Sequence, residues 1–161
     1  MTADTNKGPR VGDPAPDFAL RSHNEGDLNL AWYRGRKNVI LVFYPGDWTP
    51  VCSNQIPGYM PLMGFFEQHD CQLLGISVDS AACHVAWAKS FGGLAFPLMS
   101  DFYPHGAVAQ KYGVLLDKGI ADRVIFLIDK KGIVRFIDRV ELVKLPDNER
   151  IKAAVLELSA G

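Results

Sequence analysis

This chain lacks a charge excess and a long apolar run. Its 161 residues carry 17 Lys and Arg against 18 Asp and Glu, so the formal net charge is −1. Balanced charge without long basic runs argues against nucleic acid as the main partner. No segment approaches the roughly 20 apolar residues that cross a bilayer. Residues 1–10 also lack the apolar region of a secretory signal. We therefore expect neither a nucleic-acid partner nor a membrane association.

Cysteine is scarce, and its count is odd. Three cysteines do not fit a static disulfide framework. Reduced thiols, either reactive or buried, suit a reducing compartment, so we expect a cytoplasmic protein. Cys71 heads an apolar strand and is predicted to be a core residue. His84 and His105 have no partners at metal-ligand spacing, so we expect both to be structural or surface residues and predict no metal site.

Repeats, low-complexity segments and a dividing linker are absent as well. We expect one domain over residues 1–161, with 1–10 as a flexible tail. Strands are predicted at 38–44, 71–78, 122–128 and 133–138, and helices from about 49, from 80 to 91, from 107 to 112 and from 147 or 148. Pro57 and Pro61 should kink or interrupt the first helix. This alternation, which ends in a hairpin, predicts an α/β fold with a mixed sheet.

The most informative segment that is present is PGDWTPVC at 45–52, directly after a strand. Thr49 and Pro50 are typical of an N-cap and a first helical position. Cys52 then falls in the first turn, where free N–H groups and the helix dipole favour an anion. A thiol there ionises more easily, and the thiolate is the nucleophile. A buried structural cysteine is the alternative, but the combined pattern favours a reactive sulfur.

Pro45, Thr49 and Cys52 have the spacing Pro-x-x-x-Thr-x-x-Cys, and on these residues the chain resembles the peroxiredoxins. Four further segments are similar and occur in the family's order: VGDPAPDF from 11, GISVDS from 75, FPLMSDFYPHG from 96 and ADRVIF from 121. The last two are most similar to the AhpE-type branch. The resemblance implies a thioredoxin-like fold, a hydroperoxide substrate and no cofactor. It also implies an external thiol or a thioredoxin- or glutaredoxin-like reductant, and a homodimer.

The resemblance assigns a role to each matching residue. Cys52 would attack the peroxide and become a sulfenic acid, and Thr49 would contact both sulfur and peroxide, unless it is a plain helix cap. Arg123 would stabilise the thiolate and bind the peroxide, unless it is a solvated surface charge. Pro45 would shield the sulfur, with a simple turn residue as the alternative. The backbone N–H groups near Val51 would bind the peroxide oxygens.

Gln55 departs from the family pattern, since many members carry Glu three residues after the reactive cysteine. Glutamine keeps an acceptor oxygen but removes a negative charge beside the proposed thiolate. We place Gln55 in the substrate site, where its lack of charge should change the reactivity of Cys52. A thioredoxin-type Cys-x-x-Cys is excluded, because that motif needs a cysteine at 55.

Cys83 is the candidate resolving cysteine. It lies in the first turn of the helix that Ser80 is expected to cap, so its thiol could also be ionised and accessible. It would then form an intramolecular disulfide with Cys52; a small apolar contact is the alternative. Without a resolving cysteine, an external thiol must reduce the sulfenic acid.

Two other functions stay open at this point. A redox sensor would pass its oxidation from Cys52 to a partner protein, and a non-enzymatic thioredoxin-like module would need no reactive residue. Aromatic residues near the site loops could form a self-association patch: Tyr44, Trp48, Phe102 and Tyr103.

Overall fold

Seven strands form one mixed sheet in the computed structural model, which describes residues 8–161. Along the chain they are β1 (Ala19–Ser22), β2 (Asp27–Asn29), β3 (Asn38–Phe43), β4 (Cys71–Ser77), β5 (Leu98–Ser100), β6 (Val124–Ile128) and β7 (Val134–Arg139). Their order across the sheet is β2-β1-β5-β4-β3-β6-β7. The β3–β4 and β4–β5 pairs are parallel and the others antiparallel. The predicted α/β fold with a mixed sheet is therefore confirmed.

Within residues 8–161, five α-helices accompany the sheet: α1 (Cys52–Gln55), α2 (Met63–Gln68), α3 (Ala81–Ser90), α4 (Ala107–Lys111) and α5 (Asn148–Ala160). The same residues contain two 3-10 helices, Leu30–Tyr33 and Pro57–Leu62. The second separates α1 from α2 and contains Pro61. Proline removes a helical N–H donor and clashes with the preceding turn. The predicted interruption at the two prolines is therefore confirmed.

Both faces of the sheet are covered by core residues. Side chains of β3 alternate between the two cores, with Val39, Leu41 and Phe43 on the side of α4, and Ile40 and Val42 on the side of α3 and α5. All six residues of β3 are buried. Strands buried on both faces read as continuous apolar runs, which explains why this strand was recognisable from sequence. Burial of each large apolar side chain contributes about 1.5–3 kcal/mol.

The apolar face of α3 differs from the prediction. Ala82, Val85, Ala86 and Trp87 recur at helical intervals and predict one apolar face, but of these four only Trp87 is buried. His84, Trp87 and Ala88 are the buried residues of this helix. A polar partner for His84, described below, determines which side of α3 turns inward. Ser80 caps the helix as predicted, because its Oγ accepts from the Cys83 N–H at 3.1 Å.

Sheet register brings distant residues to one end of the molecule. β6 runs antiparallel to β3, with Val124 opposite Phe43. The start of β6 therefore lies beside the end of β3, where the chain continues towards α1. Arg123 immediately precedes β6, and Cys52 begins α1. A separation of 71 residues in sequence is thus closed by one antiparallel pairing.

Of the predicted N-terminal tail, residues 1–7 lie outside the described residues; Pro9 is buried, and the Arg10 N–H donates to Asp13 Oδ2 at 2.8 Å. Within the part of the chain that the structure describes, no helix is long and apolar enough to cross a membrane.

Candidate active site

The loop between β3 and α1 positions a fully buried thiol. Cys52 is the first residue of α1 and has 0% exposure. Helical hydrogen bonding starts earlier, since the Ser53 N–H donates to the Thr49 carbonyl at 2.9 Å. The side chain of Thr49 does not cap the helix, contrary to the predicted N-cap; its hydroxyl donates to the Gly46 carbonyl at 2.8 Å. That hydroxyl oxygen keeps its acceptor lone pairs for another donor.

Helix α1 is shorter than the motif suggested. It has four residues and gives way to a 3-10 helix at Pro57. A macrodipole requires several aligned peptide groups, so one helical turn gives Cys52 only modest electrostatic support. The charge that favours a thiolate here must come mainly from a side chain.

Arg123 supplies that charge. Its Nη1 donates to Cys52 Sγ at 3.3 Å, and its Nη2 donates to the Leu142 carbonyl at 2.7 Å. Only 2% of the residue is exposed. The surface-charge alternative is therefore wrong for Arg123. Its Nε is buried and has no hydrogen-bond partner, so one donor of the guanidinium is not satisfied by the described residues.

Gln55 completes the surroundings of the guanidinium. Its Oε1 accepts from Arg123 Nη1, and its Nε2 donates to the Tyr59 hydroxyl at 3.0 Å. This second contact fixes the orientation of the amide. Burial raises the pKa of Tyr59, which keeps that hydroxyl neutral. Among the described residues, Arg123 forms no ion pair with a carboxylate. The acceptors of Arg123 are thus the Cys52 sulfur, the Gln55 amide oxygen and the Leu142 carbonyl.

Pro45 and Val51 flank the loop and the helix start, and both are half-buried. Thr49 is also half-buried. The site residues predicted from sequence therefore lie in one segment, with Arg123 reaching it from β6. Their individual roles in binding peroxide remain predictions.

A buried polar network behind the loop was not predicted from sequence. Asp47 Oδ1 accepts from the Tyr44 hydroxyl at 2.7 Å, and Asp47 Oδ2 lies 2.6 Å from His84 Nδ1. The Asp47 N–H donates to Asp79 Oδ2 at 2.9 Å. Asp47 and His84 have fully buried side chains. The one sequence signal for this network is that Asp47 lies in the PGDWTPVC segment. Nothing in the sequence identifies the partners of Asp47.

Trp48, the next residue, has φ = +67°. A bulky residue in this left-handed region is an outlier that costs on the order of 1–3 kcal/mol. The turn between β3 and α1 therefore contains stored backbone strain.

The two other thiols differ from Cys52. Burial raises the pKa of Cys71 to about 11, as expected for the predicted core cysteine. Burial, followed by the carboxylates of Asp47 and Asp79, raises the pKa of Cys83 to about 11. The Cys83 sulfur and one carboxylate oxygen each of Asp47 and Asp79 lie within 4.8 Å of one another. The expectation that the Cys83 thiol is readily ionised is therefore wrong, because burial and then the neighbouring carboxylates outweigh its position in a helix first turn.

The aromatic residues divide into two sets. Trp48 and Phe102 are each 56% exposed and Tyr103 is 85% exposed, whereas Tyr44 is fully buried. Tyr44 was predicted to belong to a surface patch; that prediction is wrong, since its hydroxyl is held by Asp47. Trp87 is buried and stacks on Tyr44 with ring centroids 5.7 Å apart.

Comparison with known proteins places this arrangement in a family. The model described as the AhpC/TSA family matches residues 11–137. Alkyl hydroperoxide reductase E of Mycobacterium tuberculosis is 41% identical over 151 residues, which cover 93% of this chain and 98% of that protein. Peroxiredoxin-1 of Gallus gallus is 44% identical over 138 residues, covering 79% of this chain and 68% of that protein.

Solved structures agree with these sequence matches. A reduced 2-Cys peroxiredoxin of Plasmodium vivax superposes with a TM-score of 0.87 at 31% identity, over 94% of this chain and 83% of that chain. Mycobacterium tuberculosis AhpC superposes with a TM-score of 0.86 at 24% identity, over 95% of this chain and 94% of that chain, and shows the shared fold. The thioredoxin-like fold expected from the resemblance is confirmed. The chain belongs to the AhpC/TSA family of peroxiredoxins, which are thiol-dependent peroxidases.

Proposed function

We propose that this chain reduces hydrogen peroxide and small organic hydroperoxides through Cys52. The observation that carries the proposal is the 3.3 Å contact between Arg123 Nη1 and the buried Cys52 sulfur, in a site where the other acceptors beside Arg123 are neutral. A buried guanidinium without a carboxylate favours a thiolate as its counter-ion. The thiolate is the form of cysteine that attacks oxygen.

The reaction balances as a displacement at oxygen. The Cys52 thiolate forms a bond to one peroxide oxygen, the O–O bond breaks, and the departing oxygen leaves as hydroxide or alkoxide. Protonation gives water or an alcohol, and Cys52 becomes a sulfenic acid. Arg123 is the donor available to the developing negative charge, which is where a fixed donor lowers a barrier most effectively. The Thr49 hydroxyl, which donates to the Gly46 carbonyl, offers its lone pairs to the O–H of the peroxide.

An external thiol closes the cycle in this proposal. It condenses with the sulfenic acid to give a mixed disulfide and water, and a second thiol releases Cys52. A Cys52–Cys83 disulfide is the second candidate route. The raised pKa of Cys83 counts against it, because thiol–disulfide chemistry requires a thiolate.

A peroxide-consumption assay tests the function. The purified protein is mixed with hydrogen peroxide and excess dithiothreitol, and Cys52→Ser is the matched variant. We expect turnover in the unmodified protein and none in Cys52→Ser, since a serine hydroxyl is hardly ionised at neutral pH. Peroxide consumption by Cys52→Ser at an appreciable fraction of the original rate would remove Cys52 from the mechanism.

Thr49→Val tests the proposed role of the Thr49 hydroxyl. Valine keeps the shape of threonine but removes the hydroxyl. We expect the peroxide rate constant to fall about 10- to 100-fold, somewhat less than the loss of a dedicated charged donor. Thr49→Ser, which retains the hydroxyl, is the control and should keep most of the activity. Equal rates in Thr49→Val and the unmodified protein would leave Thr49 with only a structural role.

We further propose that the chain forms a homodimer through exposed aromatic residues near the site. Trp48, Phe102 and Tyr103 support this, since exposed apolar groups in one region favour self-association. Sedimentation at tens of micromolar should then show twice the chain mass of 17.8 kDa. A species of 17.8 kDa alone would refute the dimer.

A further inference from the structure

The strained turn before Cys52 needs contacts that hold it. Trp48 adopts φ = +67°, and its side chain is 56% exposed, so the indole is only partly packed against the protein. Backbone outliers of this kind persist where neighbouring groups over-determine the conformation. The strongest contacts belong to the preceding residue, Asp47.

Asp47 connects the turn to three other elements. Its carboxylate accepts from the Tyr44 hydroxyl, at the end of β3, at 2.7 Å. Its N–H donates to Asp79, between β4 and α3, at 2.9 Å. Its other carboxylate oxygen lies 2.6 Å from His84 Nδ1, on α3. These contacts fix both the backbone and the side chain of the residue that precedes Trp48.

The ring of His84 has an acceptor on each side. His84 Nε2 lies 3.0 Å from the Met99 carbonyl oxygen, which only accepts, so Nε2 is the donor of that hydrogen bond. His84 Nδ1 lies 2.6 Å from Asp47 Oδ2, a distance at which one hydrogen bond joins the two groups. That hydrogen bond is fully buried, because neither side chain is exposed.

We propose that His84 is a positioning residue for peroxide reduction. It anchors Asp47 from α3 and thereby holds the strained Trp48 turn in the geometry that places Thr49 and Cys52 for attack. Loss of this anchor would let the turn relax, and the Thr49 hydroxyl would leave its position against the Gly46 carbonyl. Reaction with peroxide depends on such placement, because small displacements of positioned groups cost large factors in rate.

Two reactions of Cys52 distinguish a loss of positioning in the site from a general destabilisation of the protein. Peroxide attack requires Thr49, Arg123 and the thiolate together, whereas alkylation by iodoacetamide requires mainly the thiolate. We expect His84→Leu to lower the second-order rate constant for hydrogen peroxide at least about 30-fold, since placement is lost. Alkylation of Cys52 should change less than about threefold, because Arg123 stays beside the sulfur. Near-ultraviolet circular dichroism should also change as the Trp48 turn relaxes.

Asp47→Asn is the matched variant that keeps the anchor. Its amide N–H can donate to His84 Nδ1, and its amide oxygen still accepts from Tyr44. Both side-chain hydrogen bonds of residue 47 are therefore kept. We expect the peroxide rate constant to stay within about fivefold of the unmodified protein, since the geometry is kept. Where His84→Leu fails to fold by far-ultraviolet circular dichroism, His84→Gln takes its place with an expected loss of about fivefold or more, because a glutamine amide reaches the position of Nε2 beside the Met99 carbonyl but not that of Nδ1 beside Asp47.

The positioning role of His84 rests on the proposed peroxidase function, but different results would refute the role and the function. An unmodified protein that does not react with peroxide refutes the function. A folded His84→Leu with a peroxide rate constant within threefold of the unmodified protein overturns the positioning role of His84. A parallel loss of peroxide reaction and alkylation overturns it too, because that pattern indicates general destabilisation.

Discussion

Replacing Arg123 by Met is the sharpest test of the site. Methionine has a similar length and keeps the packing, but it removes the charge and every donor. At 3.3 Å, a guanidinium and a thiolate attract each other by about 5 kcal/mol for an effective dielectric constant near 20. Water that enters after the substitution would recover part of this loss. Loss of one placed donor in comparable sites costs about 3–4 kcal/mol. We therefore expect the rate constant for peroxide to fall about 100- to 1,000-fold.

The assay is stopped-flow tryptophan fluorescence during oxidation by hydrogen peroxide, with the thiolate fraction followed by absorbance at 240 nm. Arg135→Met is the matched control, since it removes the same charge from β7, where Arg135 pairs with Asp129 and is 47% exposed at its side chain. That control should react at the original rate. Arg123→Lys should recover only part of the loss, because an ammonium lacks the fork of the guanidinium. A rate for Arg123→Met within threefold of the unmodified protein would refute the assignment of the charge to Cys52.

Three further predictions address tuning, resolution and stability. Gln55→Glu should slow peroxide reduction about 10-fold, since a carboxylate would compete with the thiolate for Arg123; stopped-flow rates check this, and an unchanged rate would contradict it. After one equivalent of peroxide, mass spectrometry should find Cys52 as a sulfenic acid and Cys83 free in the unmodified protein; a Cys52–Cys83 disulfide would instead show internal resolution. Tyr112→Phe should lower the free energy of unfolding by about 1 kcal/mol in urea titrations, since the hydrogen bond to the Pro16 carbonyl at 2.6 Å is lost; an unchanged midpoint would mean that water replaces it.

The local sequence pattern was sufficient to predict the strands and helix starts that surround the site. β3 and β4 are recognisable because strands buried on both faces need continuous apolar side chains. Their predicted bounds differ from the structure by one residue. Ser80 and Asp147 were recognisable as helix caps because a cap depends on groups within three residues along the chain. The position of Cys52 in the first turn of a helix was identifiable for the same reason, since it depends on the neighbouring residues Thr49 and Pro50.

Other features depend on groups that are distant in sequence. The predicted acidity of Cys83 was wrong because burial raises its pKa and because the carboxylate of Asp47, 36 residues earlier, lies beside it in the fold. The predicted inner face of α3 was right only for Trp87, because His84 turns towards that same carboxylate. Short β5 was not predicted at all, since three residues carry too little periodicity to identify a strand.

The sequence by itself determined the α/β alternation and the position of Thr49 and Cys52 at the start of a helix, because apolar periodicity, helix starts and motif spacing are local properties. Only the tertiary structure decided that Arg123 is buried against Cys52 and that Asp47 lies 2.6 Å from His84. Both contacts arise where strand pairing and helix packing close long loops. The interactions that result are electrostatic, and their strength depends on burial and on atomic distance. Neither quantity is defined until the chain has folded.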